Sequence, residues 1–490
     1  MNRIENLDGL AELYDLVIVG AGPAGLAAAA TASELGLTTL VADENPNLGG
    51  QIYRAITTSP VKQRDVLGSA YWEGLALAEE FERATVDYTP ETTVWSAEPA
   101  RDDEGALIEP NHFEIGLSRI GTARLIQTKR IILATGALER PFPIPGWTLP
   151  GVMTAGSAQI ALKASALVPQ GRTIIAGSGP LLLLLADQLK RAGANIVAVL
   201  DTTPRRNFSA ALPKLPEFLL SDYAFYGLKL LLKSRFSLPV RSNVTNLKIT
   251  GNERAQAITF IRKSREETID CDQVLLHQGV IPNINMASAL GCELVWNESI
   301  HGWSPVVDAR LNSSVDGIAI AGDGAGVAGA PSAAIRGKLA AVSAAKALGR
   351  IDVVTGDALS LPFQKRLRRL ARGRNFIDRL FRPAQEMLRP SDPSTIICRC
   401  EEVRVQQIRD VARDLNVQGP NQLKAYLRTG MGPCQGRQCG SSLIELIAEQ
   451  RGVAVHEVGH LRLRMPIKPI TLGEIASMPQ SQAAKNAVMR

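Results

Sequence analysis

Four cysteines carry the most specific chemistry in this chain: Cys398-Arg-Cys400 and, after a gap, Cys434-Gln-Gly-Arg-Gln-Cys439. Two close thiolate pairs brought together make a four-sulfur site, and clusters of two irons are held by four cysteine thiolates. The second pair lies in Thr429-Gly-Met-Gly-Pro-Cys434-Gln-Gly436, where glycines let backbone amides approach the sulfurs and hydrogen-bond to them. Two other readings stand beside this one. Disulfides are disfavoured because nothing marks a secreted protein. Structural zinc usually takes C-x₂₋₄-C spacing, and C-x-C is a tight fit for a tetrahedral ion. The spacing favours iron–sulfur over zinc at Cys398, Cys400, Cys434 and Cys439. The remaining Cys271 and Cys292 read as buried thiols.

A second kind of chemistry is phosphate binding. Asp15–Val19 reads as a buried strand, Gly20-Ala-Gly22-Pro23-Ala24-Gly25 as a turn, Leu26–Leu35 as an alanine-rich helix, and Thr38–Ala42 as a second strand closed by Asp43 and Glu44. Gly20 permits the tight turn, Gly22 lets a pyrophosphate approach the backbone, and Gly25 lets helix and strand pack closely. The pyrophosphate would sit on the helix N-terminus, where unpaired amides and the dipole favour an anion. Asp43 can accept from ribose hydroxyls. A second unit spans 172–201, with Gly177-Ser-Gly179-Pro180 as its turn and Asp201 at its end, but Leu182 replaces the third glycine. A bulky residue there pushes the helix from the strand or alters the pyrophosphate contact. Either this unit takes a nicotinamide cofactor or it is a structural relic.

These turns need a sheet behind them. Arg130–Ala134 predicts a strand ending in Ala134-Thr135-Gly136, and Gly317–Ala321 another ending in Gly322-Asp323-Gly324, followed by a helix from about Ala333 to Leu348. In a doubly wound sheet such turns lie at the carboxyl ends of strands, where ligands bind. The strand near 315–323 returns to the first unit after a long excursion, so the second unit is inserted into the first. The expected fold is α/β, with two nested Rossmann-like dinucleotide-binding domains and a small, mainly helical C-terminal domain. We divide the chain into 1–150 with 305–350, an insert at 151–304, a linker helix at 351–390, and a cysteine domain at 391–490. Within the insert, 204–240 reads as mostly helical, and Tyr223, Phe225 and Tyr226 form a stripe of core or subunit contact. His277, at the end of a strand, could face a ligand, and the favoured reading is a hydrogen-bonded structural residue. Helices are expected at Val403–Leu415 and Ser441–Arg451, and the tail after Pro469 looks polar and loosely held.

The chain has 490 residues, too many for one core, and a net charge of +6. Nine Lys/Arg against Asp378 and Glu386 fall in 363–390, and apolar residues recur there at helical intervals, which predicts a basic amphipathic helix. An anionic membrane surface, reached by peripheral association, is one reading. The favoured one is a linker helix docking its apolar stripe on a neighbouring domain. No motif accompanies the charge to suggest nucleic acid. The N-terminus is polar and acidic, no apolar run is long enough to span a bilayer, and a reducing, cytoplasmic location is the expectation.

The set Gly20–Gly25, Asn47-Leu-Gly-Gly50-Gln51, Ala134-Thr135-Gly136 and Ala321-Gly322-Asp323 resembles the two-dinucleotide-binding-domain flavoproteins, the glutathione-reductase-like fold. That resemblance implies FAD on the first turn, with Asp43 on the ribose and Asp323 near the ribityl or phosphate region. Gly49-Gly-Gln-Ile-Tyr-Arg54, taken with Cys398-Arg-Cys-Glu-Glu402 and Gly432-Pro-Cys-Gln-Gly-Arg437, is similar to the A, or α, subunits of heteromeric bacterial amine dehydrogenases, the group of the opine oxidases, hydrogen cyanide synthases and D-hydroxyproline dehydrogenases. The similarity covers nearly the whole chain. It implies a bacterioferritin-associated-ferredoxin-like domain with [2Fe-2S], and a separate D-amino-acid-oxidase-like flavoprotein subunit that oxidises the substrate C–N bond, with a small third subunit in some complexes. It also implies alternatives: another adenine nucleotide in the first site, or an FMN at the interface with the catalytic subunit. No cysteine precedes Cys271, so the C-x₂-C pair of the disulfide reductases is missing and disulfide reduction is excluded.

The expected function is electron transfer within an opine- or D-amino-acid-type dehydrogenase, from a partner subunit through flavin and [2Fe-2S] to an acceptor such as quinone. The sequence shows no recognisable catalytic acid, base or nucleophile. An NAD(P)H-dependent flavin and iron–sulfur reductase is the second reading, and a nucleotide-binding assembly subunit without redox activity the third.

Overall fold

In a computed structural model, residues 1–102, 106–108, 112–224, 227 and 238–479 are described. The first sheet is built on Leu13–Val19, whose apolar residues Leu16, Val17 and Ile18 are fully buried. It pairs in parallel with Thr39–Ala42 on one side and with Thr122–Leu133 on the other. The twelve-residue strand Thr122–Leu133 serves two partners. Its first half pairs antiparallel with Phe113–Arg119, and its last residues, Ile131–Leu133, pair in parallel with Ile318–Ile320. That second pairing brings the returning segment beside the first turn. Continuous apolar runs suit strands covered on both faces.

The helix Pro23–Glu34 follows the first turn and starts at Pro23, three residues before the sequence suggests, because proline is well tolerated in a helix's first turn. Its alanines are buried on almost every side, and Ala330–Ala347 packs against them. That second helix also starts three residues early, with Pro331 in its first turn. Small side chains allow the close approach: a Cβ on Gly337 would lie 2.0 Å from the Ala24 carbonyl oxygen.

The second sheet is wholly parallel, in the order Val240–Ser242, Ile196–Asp201, Thr173–Ser178, Gln273–Gln278, Val152–Thr154. An antiparallel meander, Thr245–Thr250, Ala257–Arg262 and Arg265–Asp270, forms a separate three-stranded sheet that shares a core with it. Part of the expected helical stretch 204–240 is observed, as Arg205–Ala211 and Leu215–Leu219, whereas Val240 opens a strand. Phe225 and Tyr226 lie outside the described residues, while Tyr223 donates to the Ala328 carbonyl at 3.2 Å.

The basic segment is not one helix. Val353–Leu370 begins two residues inside the linker bounds 351–390, ten residues ahead of the basic run, and carries Pro362 inside it. The chain breaks at Gly373 (φ +77°) and resumes as Arg374–Leu380 and Gln385–Leu388. A Cβ on Gly373 would meet the Ser221 side chain at 2.5 Å. The apolar stripe docks as expected, with Phe363 and Leu367 on the main core and Phe376 stacked on Phe218 at 4.4 Å. Among the described residues no helix is long and apolar enough to cross a membrane.

The cysteine domain has its own core of Ile397, Val405, Ile408, Leu423, Leu443, Leu446 and Ile447. Its longer helices are Val405–Asp414, Pro420–Leu427 and Gly440–Arg451, the middle one not foreseen. The hairpin Leu294–Asn297/Gly302–Pro305 inserts Trp296 and Trp303 against this core. Trp147 Nε1 donates to the Ile396 carbonyl at 2.8 Å. The expectation of a loose tail is corrected for the residues described. Ile467 is buried and its amide donates to the Trp95 carbonyl, and the Thr471-capped helix Leu472–Ser477 packs on Thr122–Leu133. A capping box and an apolar anchor hold it there.

Candidate functional site

The first glycine turn is built by close approaches that a side chain would forbid. Gly20 has φ +108°, and a Cβ on Gly25 would lie 1.8 Å from the Gly20 carbonyl oxygen. The loop Gly49-Gly50-Gln51 closes on it: the Gly49 amide donates to the Ala21 carbonyl at 2.9 Å, and a Cβ on Gly50 would lie 2.8 Å from Gly22 Cα. Ala134 faces Gly20, Gly136 and Thr135 face Gly324, and Gly322 faces Ala24. The structure therefore brings together Gly20, Gly22, Pro23, Ala24, Gly25, Gly50, Ala134, Thr135, Gly136 and Gly322 at the carboxyl ends of three strands. No side chain caps the helix at Gly22, so its first amides point into a glycine-lined cradle, as an anion requires. These residues fit a dinucleotide.

The acidic residues behave differently from one another. Asp43 is buried, its Oδ2 accepting from the Ala21 amide at 2.5 Å and its Oδ1 from Asn45 N and Nδ2, both at 2.7 Å. Burial pushes its carboxyl above the ordinary value, against those three bonds. Asp43 thus braces the turn, and the exposed carboxylate beside it is Glu44, ion-paired with Lys468. Asp323 Oδ1 accepts from Ala328 N at 2.9 Å and Gly329 N at 3.2 Å, fixing the loop ahead of the helix Ala330–Ala347.

Two buried cations lie beside this turn and were not among the sequence candidates. Arg54 donates to Gln51 Oε1 at 2.9 Å, and its Nε is buried without a partner. Burial lowers its pKa, while Asp43 and Glu44 raise it. Lys163 comes from the inserted unit and donates to the Ile52 carbonyl at 2.8 Å and to Gln159 Oε1 at 3.0 Å. Burial first, and Arg54 second, push it down to about 7. Arg54 follows the glycine pair by four residues, a visible signal. Lys163 is far away in sequence and had none.

The second turn is built another way. Leu182 is buried, and the tightest contact moves to Gly177, where a Cβ would lie 1.6 Å from the His277 carbonyl oxygen. His277 pairs through Nδ1 with Glu139, which also accepts from the Gly156 amide at 2.9 Å, and its Nε2 faces Gly179. Asp201 accepts from the Thr203 amide at 2.9 Å, and burial pushes its carboxyl up.

The four cysteines converge in one loop region. The Cys439 thiol contacts the sulfurs of Cys398 and Cys434, and Cys434 contacts Cys400. Amides of Glu401, Gly430 and Cys400 donate to the Cys398 sulfur, and those of Gln438 and Gly436 to Cys434. The Cys439 contact and these amides pull Cys398 down to about 6; the Cys439 and Cys400 contacts and the amides pull Cys434 down to about 5, both against burial. Cys439 itself is raised by the same neighbours, and burial raises Cys400. Gly432 is packed so that a Cβ would lie 2.3 Å from the Cys400 Cβ. Among the described residues no three His, Cys, Asp or Glu side chains gather as around a single ion. The sulfurs instead form a chain of contacts, ringed by amide donors, and this donor set fits a two-iron cluster. By contrast, burial pushes Cys271 up to about 11 and raises Cys292, as expected of inert thiols.

Comparison with known proteins agrees with both halves of this geometry. Residues 14–349 match the pyridine nucleotide-disulphide oxidoreductase family, and residues 396–449 the BFD-like [2Fe-2S] binding domain. The chain is 46% identical over 488 residues to the A subunit of opine oxidase from Rhizobium meliloti, covering 100% of this chain and 92% of that one. The chain belongs to the family of opine oxidase A subunits. It is also 31% identical to hydrogen cyanide synthase subunit HcnB of Pseudomonas aeruginosa, over 93% of this chain and 96% of that protein. Among solved structures, L-proline dehydrogenase from P. horikoshii shares the fold, with a TM-score of 0.70, 19% identity, and 97% of this chain and 80% of that one covered. This member of the family is an oxidoreductase subunit that joins a dinucleotide-binding fold to a [2Fe-2S] domain.

Proposed function

We propose that this chain is the electron-transfer subunit of an opine- or D-amino-acid-type dehydrogenase, with FAD on the first turn and [2Fe-2S] on Cys398, Cys400, Cys434 and Cys439. The observation that carries the reading is the docking of the four-cysteine loop on the segment 283–285 that is hydrogen-bonded to the Thr135–Gly136 turn, where Asn285 meets Gln435 at 3.0 Å. Gly20, Gly22 and Gly25 admit the pyrophosphate, and the uncapped start of Pro23–Glu34 holds its charge. Asp43 keeps the Ala21 amide fixed, and Glu44 is the carboxylate left facing solvent. The cysteine thiolates and their amide donors hold the cluster, and Trp296 and Trp303 cover the cysteine domain's core beside it. When bound, flavin and cluster supply two-electron and one-electron chemistry respectively. A partner flavoprotein oxidises the secondary amine, and a quinone-type acceptor takes the electrons.

The test is to purify the chain alone and with its partner subunits. The complex should oxidise an opine or D-amino acid, release FAD on denaturation and contain about two irons per chain. Full amine dehydrogenase activity of the isolated chain would sink the reading. Release of ADP or ATP in place of FAD would instead support an adenine nucleotide bound structurally in the same turn.

A further inference from the structure

A single three-residue segment, 283–285, touches both sites. The Asn283 amide donates to the Gly136 carbonyl at 3.0 Å, and Thr135 Oγ1 donates to the Asn283 carbonyl at 3.4 Å. Two residues on, Asn285 is 6% exposed and its Nδ2 donates to the Gln435 carbonyl at 3.0 Å. A backbone carbonyl can only accept, which fixes the orientation of that carboxamide. Gln435 follows Cys434 and has φ +48°, a left-handed conformation that turns its peptide toward Asn285. The N–H of this same peptide, carried by Gly436, lies on the side of the Cys434 sulfur and favours its thiolate. The run is therefore continuous: Asn285 side chain to Gln435 C=O, then Gly436 N–H to sulfur.

A hydrogen bond accepted by a carbonyl polarises its peptide and strengthens the N–H on the other side. Donors to a cluster's sulfurs stabilise the reduced state, which carries one more negative charge, and so raise the reduction potential. We propose that Asn285 is a positioning residue for the iron–sulfur site, holding the Gln435–Gly436 peptide so that its N–H tunes the Cys434 ligand, and linking that ligand to the Thr135–Gly136 turn. This rests on the cluster assignment proposed above.

The experiment is an EPR-monitored redox titration of the intact complex, comparing wild type with Asn285→Leu, which keeps the volume, and Asn285→Asp, which cannot donate. Losing one such bond should lower the reduced-to-oxidised ratio at the wild-type midpoint about twofold to tenfold. The shift should be larger in Asn285→Asp, whose carboxylate adds charge, while released nucleotide is unchanged. A role in packing alone would lower the Tm and leave the midpoint where it is. Variants with full iron content and the wild-type midpoint would overturn the proposal. Failure of both variants to assemble iron would also overturn it, since tuning presupposes a site that forms without the bond. A wild-type complex with no [2Fe-2S] signal would remove the cluster assignment itself, a separable failure.

Discussion

The two glycine turns share a sequence pattern and differ in what holds them. At the first, the helix sits so close to its strand that a Cβ on Gly25 would lie 1.8 Å from the Gly20 carbonyl oxygen. At the second, Leu182 fills the equivalent place and is buried in the main core, while Gly177 abuts the His277 backbone and the His277–Glu139 pair stands under Gly179. The carboxylates that close the two units diverge too. Asp43 reaches back to the Ala21 amide in its own turn, whereas Asp201 holds the Thr203 amide beyond the strand. The lesson is that the third glycine reports helix–strand distance. A turn can keep its first two glycines for backbone packing alone.

The largest test of that contrast is Gly25→Ala. The added methyl has no room against backbone, so stability should fall by about 4 kcal/mol, and the desalted protein should lose its nucleotide. Denaturant titration with analysis of released nucleotide would read both. Leu182→Ala should cost about 2–3 kcal/mol as a core truncation and leave nucleotide content unchanged. A loss of nucleotide in that variant would mean the second turn also contributes to retention.

A smaller effect separates the starts of the two central strands. Asp15, in Leu13–Val19, is buried and accepts from Lys129 at 2.9 Å and Arg350 at 2.8 Å. Burial alone would raise its pKa, but these partners and Thr38 hold it at about 2. The folded value is depressed, so its stabilisation is complete above the unfolded carboxylate range and is lost as pH falls toward 2. Both cations are partly exposed, and screening limits the loss in Asp15→Asn to about 1–2 kcal/mol at pH 7. Thermal melts at pH 7 and pH 3 should show the variant and wild type converging in acid. Arg172, before Thr173–Ser178, makes only exposed pairs with Asp270 and Asp272, and Arg172→Ala should stay within about 0.5 kcal/mol.

Legibility in the sequence follows the range of the interactions. Gly20–Gly25, Ala134–Gly136, Gly322 and the four cysteines were readable because each motif places its chemistry within a few residues. Asp43 was recognised, but its occupation by Ala21 and Asn45 depends on how the turn folds back. The two helix starts at Pro23 and Ala330 were missed by a few residues because prolines there open helices. Lys163, Asn285 and the Leu472–Ser477 helix act on partners more than 100 residues away. No local pattern announces such contacts. The break at Gly373 has a local signal, a glycine at positive φ, and the Ser221 side chain packs against it.

The most direct measurement is anaerobic mixing of the purified complex with its amine substrate, and separately with NADH, followed by freeze-quench EPR. A reduced [2Fe-2S] signal is expected with the amine only when the partner subunit is present, and none with NADH. Reduction of the isolated chain by NADH would contradict it and make the second turn a working nicotinamide site.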